Sequence, residues 1–131
     1  MTESASLQVF KSFANAFARK DLDAMMACLS DDFVWTLPDG TADPTGREVR
    51  GHAAVREAFR QRFFDHPATA PAFSDIGVEV LGDVLLVRYR VCASGGATGK
   101  VDACGIEIYR VKEGKLTHKD VYWKQVAWPE G

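Results

Sequence analysis

The chain has 131 residues, 47% hydrophobic and 26% charged, with a formal net charge of -2. That length and balance predict one folded domain over residues 1–131, able to bury roughly two-thirds of its unfolded surface, and not a disordered chain. The net charge supplies no overall attraction for nucleic acid, whose binders carry a basic face. No run of about 18 apolar residues exists to cross a bilayer, and the polar start from Met1 to Ser6 is unlike a secretion signal, so no membrane partner is expected and the expected location is the cytoplasm.

Leu7, Phe10, Phe13, Ala14 and Phe17 recur at helical spacing and put three aromatic rings on one core-facing stripe, with Lys11, Asn15, Arg19 and Lys20 largely away from it. Asp21 suits an N-cap. Leu22, Met25, Met26 and Leu29 then form the apolar face of a short second helix ending near Ser30. Phe33-Val34-Trp35-Thr36-Leu37 is β-branched and aromatic, reads as a strand, and is stopped by the turn sequence Pro38-Asp39-Gly40. The aperiodic stretch with Gly40, Pro44, Gly46 and Gly51 reads as a loop at the rim of a pocket. Val55, Ala58, Phe59 and Phe63 restart the helical period from about Ala53 to Asp65, where His66-Pro67 and Pro71 end it.

The C-terminal half alternates with period two. Ile76, Val78 and Val80 share a phase that Phe73 breaks, which predicts a bulge near Asp75 to Gly77. Gly82-Asp83 makes a two-residue hairpin turn, Val84 to Ala93 is the next strand, and Gly95-Gly96 with Gly99 mark a looser connection. Val101 to Val111 pairs back, Glu113-Gly114 closes another hairpin, and a last strand runs from Leu116 to Val126, leaving Ala127 to Gly131 as a tail. The order is α-α-β-α-β-β-β-β, an α+β architecture in which a curved, mostly antiparallel sheet wraps three N-terminal helices.

This order, together with Lys20-Asp21-Leu22-Asp23-Ala24, Ser30-Asp31-Asp32-Phe33, Gly51 with Val55 and Arg56, and Tyr109-Arg110 before Glu113-Gly114-Lys115, resembles the nuclear-transport-factor-2-like superfamily, in its SnoaL-like and ketosteroid-isomerase-like branch. The resemblance covers nearly the whole chain. It implies a cone with a mostly apolar cavity for a small organic molecule between helices and concave sheet, and frequently a homodimer formed across the sheet. It does not imply one activity, because the superfamily holds isomerases, cyclases, dehydratases, epoxide hydrolases and non-catalytic binding modules.

Ketosteroid isomerase combines a carboxylate base with a tyrosine and a protonated aspartic acid. Matching Asp31-Asp32 and Pro38 to it puts the base position at Leu37, and matching helix one through Asp21 puts the tyrosine at Phe13. Neither can act. Only Ile106-Glu107-Ile108-Tyr109-Arg110 keeps an acid at its matching position, so steroid isomerisation by that mechanism is not expected.

Glu107 and Asp120 are the candidate catalytic acids. Alternation points Glu107 opposite to Ile106 and Ile108. If the isoleucines face a dimer partner, Glu107 enters the cavity, where desolvation suits a carboxyl to acid-base work; if they face the core, Glu107 is an outer charge. The resemblance favours the cavity. In the last strand His118, Asp120 and Tyr122 share one face and Lys119, Val121 and Trp123 the other. Family matching turns Lys119 and Trp123 inward, allowing a Lys119–Glu107 pair; Asp120 with His118 is the competing dyad, and a solvated surface pair is the ordinary reading of it.

Trp35, Phe17, Phe59, Tyr109, Lys119 and Trp123 are the candidate ligand-binding residues, with Phe13 and Phe63 as further inward rings. Arg47, Arg50, Arg56, Arg60 and Arg62 cluster at the rim among Glu48 and Glu57, which reads first as a solvated face and second as a site for an anionic group. Asp39 and Asp43 read as turn residues. Asp102, Arg88 or Arg90, and Asp120 supply the residue types of an epoxide-hydrolase triad. His52, His66 and His118 lack ligand spacing, so no metal is expected, and proton transfer of this kind needs no cofactor. Cys28, Cys92 and Cys104 lie in largely apolar stretches and read as small buried hydrophobes.

Overall fold

The computed structural model describes residues 4–39, 44–93 and 100–124. Helix α1 spans Ala5–Ala18, where the Ser4 hydroxyl accepts from the Leu7 amide at 3.1 Å and closes the first turn. Asp21 caps α2, Leu22–Ala27, by accepting from the Ala24 amide at 3.0 Å. Strand β1 follows at once as Leu29–Thr36. Leu29 thus belongs to the sheet and not to the helix its spacing suggests, because the Leu116 amide donates to the Cys28 carbonyl at 2.9 Å and draws the chain into a strand.

The rim stretch contains a three-residue strand β2, Glu48–Arg50, paired antiparallel with β1 through Trp35 opposite Val49. Helix α3, His52–Phe59, runs into a π-helical turn, Arg60–Phe64, where the Asp65 amide reaches the Arg60 carbonyl at 2.9 Å. Strands β3 (Ala72–Leu81), β4 (Val84–Ala93), β5 (Val101–Lys112) and β6 (Lys115–Trp123) complete the chain. The register of β3 shifts between Ser74 and Gly77 with Asp75 at a positive φ of 55°, the bulge expected there. Glu113 and Gly114 both have positive φ, as a tight two-residue hairpin requires. Gly40, Asp43, the Gly95-Gly96 and Gly99 connection, the end of the last strand at Val126 and the tail from Ala127 lie outside the described residues.

The sheet order is β2-β1-β6-β5-β4-β3. Every pairing is antiparallel except β1 with β6, which run parallel and set Trp35 beside Lys119. The curved sheet closes over the helices as an α+β cone. Phe10, Phe13 and Ala16 of α1, Met25 and Met26 of α2, and Val55 and Phe59 of α3 are buried against Leu85, Val87, Val91, Tyr109 and Val121 on the inner face. Rings from separate elements interlock: Trp35 and Phe59 centroids are 4.7 Å apart, Phe10 and Tyr109 5.1 Å.

Candidate functional site

Three cross-strand rows on the inner face of β4, β5 and β6 build the site. Tyr89, Gly105 and Trp123 form one row, Val87, Glu107 and Val121 the next, and Leu85, Tyr109 and Lys119 the third. Glu107 is therefore the acidic centre of an apolar row, with polar neighbours on its diagonals. The Tyr89 hydroxyl donates to Glu107 Oε2 at 2.6 Å, the Tyr109 hydroxyl donates to Oε1, and Lys119 Nζ lies 3.2 Å from Oε1. Trp123 Nε1–H donates to the Tyr89 oxygen at 3.0 Å, which leaves the Tyr89 proton directed at Glu107.

Glu107 and Lys119 are only 5% and 6% exposed. Such a pair is tolerated in an apolar interior only when hydrogen-bonded throughout, and here the carboxylate has three donors. The Lys119 ammonium is also 5.6 to 5.9 Å from the centroids of Phe13, Trp35, Phe59, Phe63 and Tyr109. Aromatic faces thus replace part of its lost hydration. Burial, then the charge of Glu107, pushes the phenols of Tyr89 and Tyr109 well above their ordinary range, so both remain proton donors at neutral pH.

The cluster lines a cavity of about 350 Å³, walled by Phe10, Phe13, Phe17, Phe63, Phe73 and Ile76. A crevice of about 10 Å³, bounded by Trp35, Arg62, Val121 and Trp123, shares Phe63, Phe73, Glu107 and Lys119 with it. A larger concavity, about 760 Å³, is an open groove past Arg88, Ile106, Ile108 and Tyr122 that also touches Tyr89 and Trp123 but neither Glu107 nor Lys119.

Among the sequence candidates, Phe17, Glu107, Tyr109 and Lys119 line the cavity, Trp35 and Trp123 line the crevice, and Phe59, fully buried, packs behind Trp35. Asp120 is not brought to Glu107. It lies opposite Ile108 in the ladder and so shares the outer face, where the Tyr122 hydroxyl donates to it at 3.0 Å. His118 contacts the Thr117 hydroxyl at 2.9 Å, on the same outer side, and makes no bond to Asp120. The triad residues are equally displaced from the cavity: Arg90 holds Asp102 at 2.7 and 2.8 Å on the outside, and Arg88 pairs with Glu79 at 3.1 Å. Leu37 and Phe13 are buried and apolar at the isomerase positions.

At the rim Arg56 pairs with Asp23 at 2.7 Å, Arg60 with Asp65 at 2.8 Å, Arg50 with Glu48 at 2.5 Å, and Arg47 with Asp39 at 3.5 Å, a solvated charged face. Arg62 differs, being half-buried over the Trp35 ring. Cys92 and Cys104 are exposed and Cys28 half-buried, so the cysteines are not the core residues their apolar neighbours suggest. Among the described residues no group of three His, Cys, Asp or Glu side chains could hold a metal ion.

Tyr89 and Gly105 are site residues that sequence reasoning passes over. Tyr89 is in phase with Leu85, Val87 and Val91 and looks like any core residue. A Cβ at Gly105 would come within 2.8 Å of both the Tyr89 and Trp123 rings, so glycine alone lets these rings meet across the middle strand. The available signal was a glycine inside an otherwise regular strand.

Comparison with known proteins bears on this geometry. A model of the SnoaL-like domain matches residues 10–119. The chain belongs to the SnoaL-like domain family. Solved structures of similar fold agree: this SnoaL-like domain superposes on a nuclear-transport-factor-2-like protein from Burkholderia xenovorans LB400 with a TM-score of 0.75 at 20% identity, covering 95% of this chain and 92% of that one. A cystatin-like-fold protein of unknown function from Xanthomonas campestris gives 0.76 at 17% identity, covering 92% and 91%. A protein described as a candidate polyketide cyclase from Xanthomonas campestris pv. campestris gives 0.72 at 24% identity, covering 92% and 90%. No curated protein matches the SnoaL-like domain in sequence. Among the described residues no helix is long and apolar enough to cross a membrane.

Proposed function

We propose that this SnoaL-like domain binds a small, mostly apolar cyclic organic molecule in the cone cavity and moves a proton on it without a cofactor, in a reaction of isomerase, cyclase or dehydratase type. The observation that carries this reading is the buried Glu107–Lys119 pair on an apolar cavity wall. A buried ion pair of this kind is weak evidence for stability, because apolar residues of similar volume often serve as well, so the pair points to a role beyond folding. In the proposed step Glu107 takes a proton from a carbon next to a carbonyl, and the charge developing on the substrate oxygen is met by a phenol or by Lys119. Return of the proton from Glu107 to another atom completes the reaction. The likeness to a candidate polyketide cyclase supports a cyclic, oxygenated substrate.

The test is hydrogen exchange on 2-tetralone in deuterated buffer, followed by NMR, with binding measured by calorimetry. Wild type is expected to accelerate exchange at C1, and Glu107→Gln to abolish the acceleration while binding persists. Binding without any acceleration by wild type would sink the catalytic part and leave a non-catalytic ligand-binding domain. That second reading has its own support, because both oxygens of Glu107 are already engaged.

A homodimer across the outer face belongs to the same proposal. Tyr122 is 54% exposed there, beside the half-buried Ile106 and Ile108. Sedimentation of wild type against Tyr122→Glu is expected to show a dimer that the charge disrupts; a monomeric wild type would remove this part.

A further inference from the structure

The Glu107 cluster leaves one buried donor unused. Trp35 is 2% exposed and its indole Nε1–H has no acceptor among the described residues, whereas the indole of Trp123 is satisfied by Tyr89. Burying an N–H without a partner is unfavourable, and a water, an ion or a ligand atom that completes it removes that cost. Trp35 sits at the parallel seam beside Lys119 and lines the crevice that shares Glu107 and Lys119 with the cavity.

Arg62 bounds the same crevice. The π-helical turn projects its guanidinium over the Trp35 ring, 5.7 Å from the centroid. Arg50, Arg56 and Arg60 have carboxylates within 2.8 Å, whereas Arg62 and Arg47 share one acid, Asp39, at 3.7 and 3.5 Å. Arg62 is thus a half-buried cation weakly compensated by the protein, and its desolvation lowers its pKa from the ordinary arginine value. Lys119 is matched by Glu107, so the excess positive charge at this end of the cavity comes from Arg62. The rest of the cavity wall is largely apolar and includes Phe10, Phe13 and Phe17.

We infer that the ligand is a ring-bearing organic acid whose carboxylate or ionised enol oxygen is received by the Trp35 N–H and Arg62, with its rings against the phenylalanines. This rests on the ligand-binding reading above and adds the chemical class of the ligand and the residues that select it. An N–H donor beside a guanidinium suits an anionic oxygen and gives a neutral isostere little in return.

Calorimetry with 2-naphthoate and the neutral 2-naphthalenemethanol tests it. Wild type is expected to bind naphthoate at least about tenfold more tightly, the factor one charge-assisted hydrogen bond supplies. Trp35→Phe keeps a ring and removes the N–H; Arg62→Gln removes the charge at a partly exposed position and carries the test if the first variant folds poorly. Each should weaken naphthoate by about tenfold and leave the alcohol within about twofold. Equal affinity of wild type for both probes overturns the inference, as does an equal loss for both probes in the variants, the mark of a merely structural role or of a water as the missing acceptor. Binding of neither probe overturns the ligand-binding reading with it. Selective naphthoate binding without exchange on 2-tetralone supports the inference and removes only the proton transfer.

Discussion

Two ion pairs on opposite faces of the same sheet set the terms for this molecule. Lys119–Glu107, at 3.2 Å, has side chains 7% exposed, while Arg90–Asp102, at 2.7 Å, has side chains 53% and 55% exposed. By distance the outer pair is the better one. Water nevertheless solvates its partners whether or not they touch, so pairing changes little there. Inside the cone both partners are almost wholly desolvated, and the pair is held by two phenols, an aromatic surround and each other. Surroundings, not separation, decide what a pair does.

The largest consequence is expected at Glu107. Glu107→Ala strands a buried ammonium and two phenol donors, and should lower the unfolding free energy in urea by about 3–5 kcal/mol. Replacing both partners, Glu107→Leu with Lys119→Met, removes the stranded ammonium but still leaves the two phenols without an acceptor, and should recover part of that stability while removing exchange on 2-tetralone. If the single change cost under about 1 kcal/mol, the inner pair would be energetically like an exposed one and the contrast would fail.

Gly105→Ala should come next, at about 1–3 kcal/mol, because its Cβ meets two rings at 2.8 Å. Its specific mark is a changed Trp123 emission as the indole leaves the Tyr89 oxygen; unchanged emission would show that the rings yield without parting. Tyr89→Phe should cost about 1.5 kcal/mol, since it leaves the Trp123 N–H and one Glu107 oxygen short of a partner. Here the check is the urea midpoint with an unchanged m-value.

Titration sharpens the comparison at both ends of the pH scale. The inner tyrosines have folded pKa values raised above the ordinary 10.0, by burial first and by Glu107 second. For them the folded state holds protons longer than the unfolded one, so stability is full below about pH 10 and falls as pH rises above it. Tyr122, on the outer face, is raised by its hydrogen bond to Asp120. In a Tyr122→Phe background, tyrosinate absorbance at 295 nm should therefore appear together with unfolding, and its appearance in the folded state near pH 10 would contradict the buried network.

The smallest effect belongs to the outer pair. Arg90 bonded to Asp102 holds its carboxyl down to about 2 from the ordinary 3.8. The folded pKa is depressed, so the contribution is present above about pH 4 and is lost as pH falls through about 2. Asp102→Asn should lower the urea midpoint at pH 7 only slightly, because the exposed pair is screened, and flatten that acid limb. A clear shift at neutral pH would mean that this face is covered in solution.

Much of this was legible because it is local. The stripe Phe10, Phe13 and Phe17, the Asp21 cap, the bulge before Gly77 and the two hairpins at Gly82-Asp83 and Glu113-Gly114 are each fixed by neighbours within a few residues. Glu107 stood out as an acid in an apolar alternating run, and family resemblance favoured its inner orientation. Asp120 was drawn toward the same site by residue type, but the ladder sets it opposite Ile108, and one step along a strand reverses the face. Strand β2 carries no periodic signal because it is defined by its partner, and the π-helical turn reads in the sequence as ordinary helix because Phe63 keeps the helical spacing.

By itself, then, the sequence determined the order of helices and strands, the family, and the presence of an acid in an apolar strand. These follow from burial periodicity and turn chemistry, which act over a turn or a hairpin. Only the tertiary structure decided that Tyr89 reaches Glu107, that Trp123 reaches Tyr89 across Gly105, that Lys119 lies beside Trp35 on a parallel strand, and that the Trp35 N–H has no partner among the described residues. Each depends on register between strands far apart in the chain, and no local preference encodes a contact that exists only once the sheet has closed.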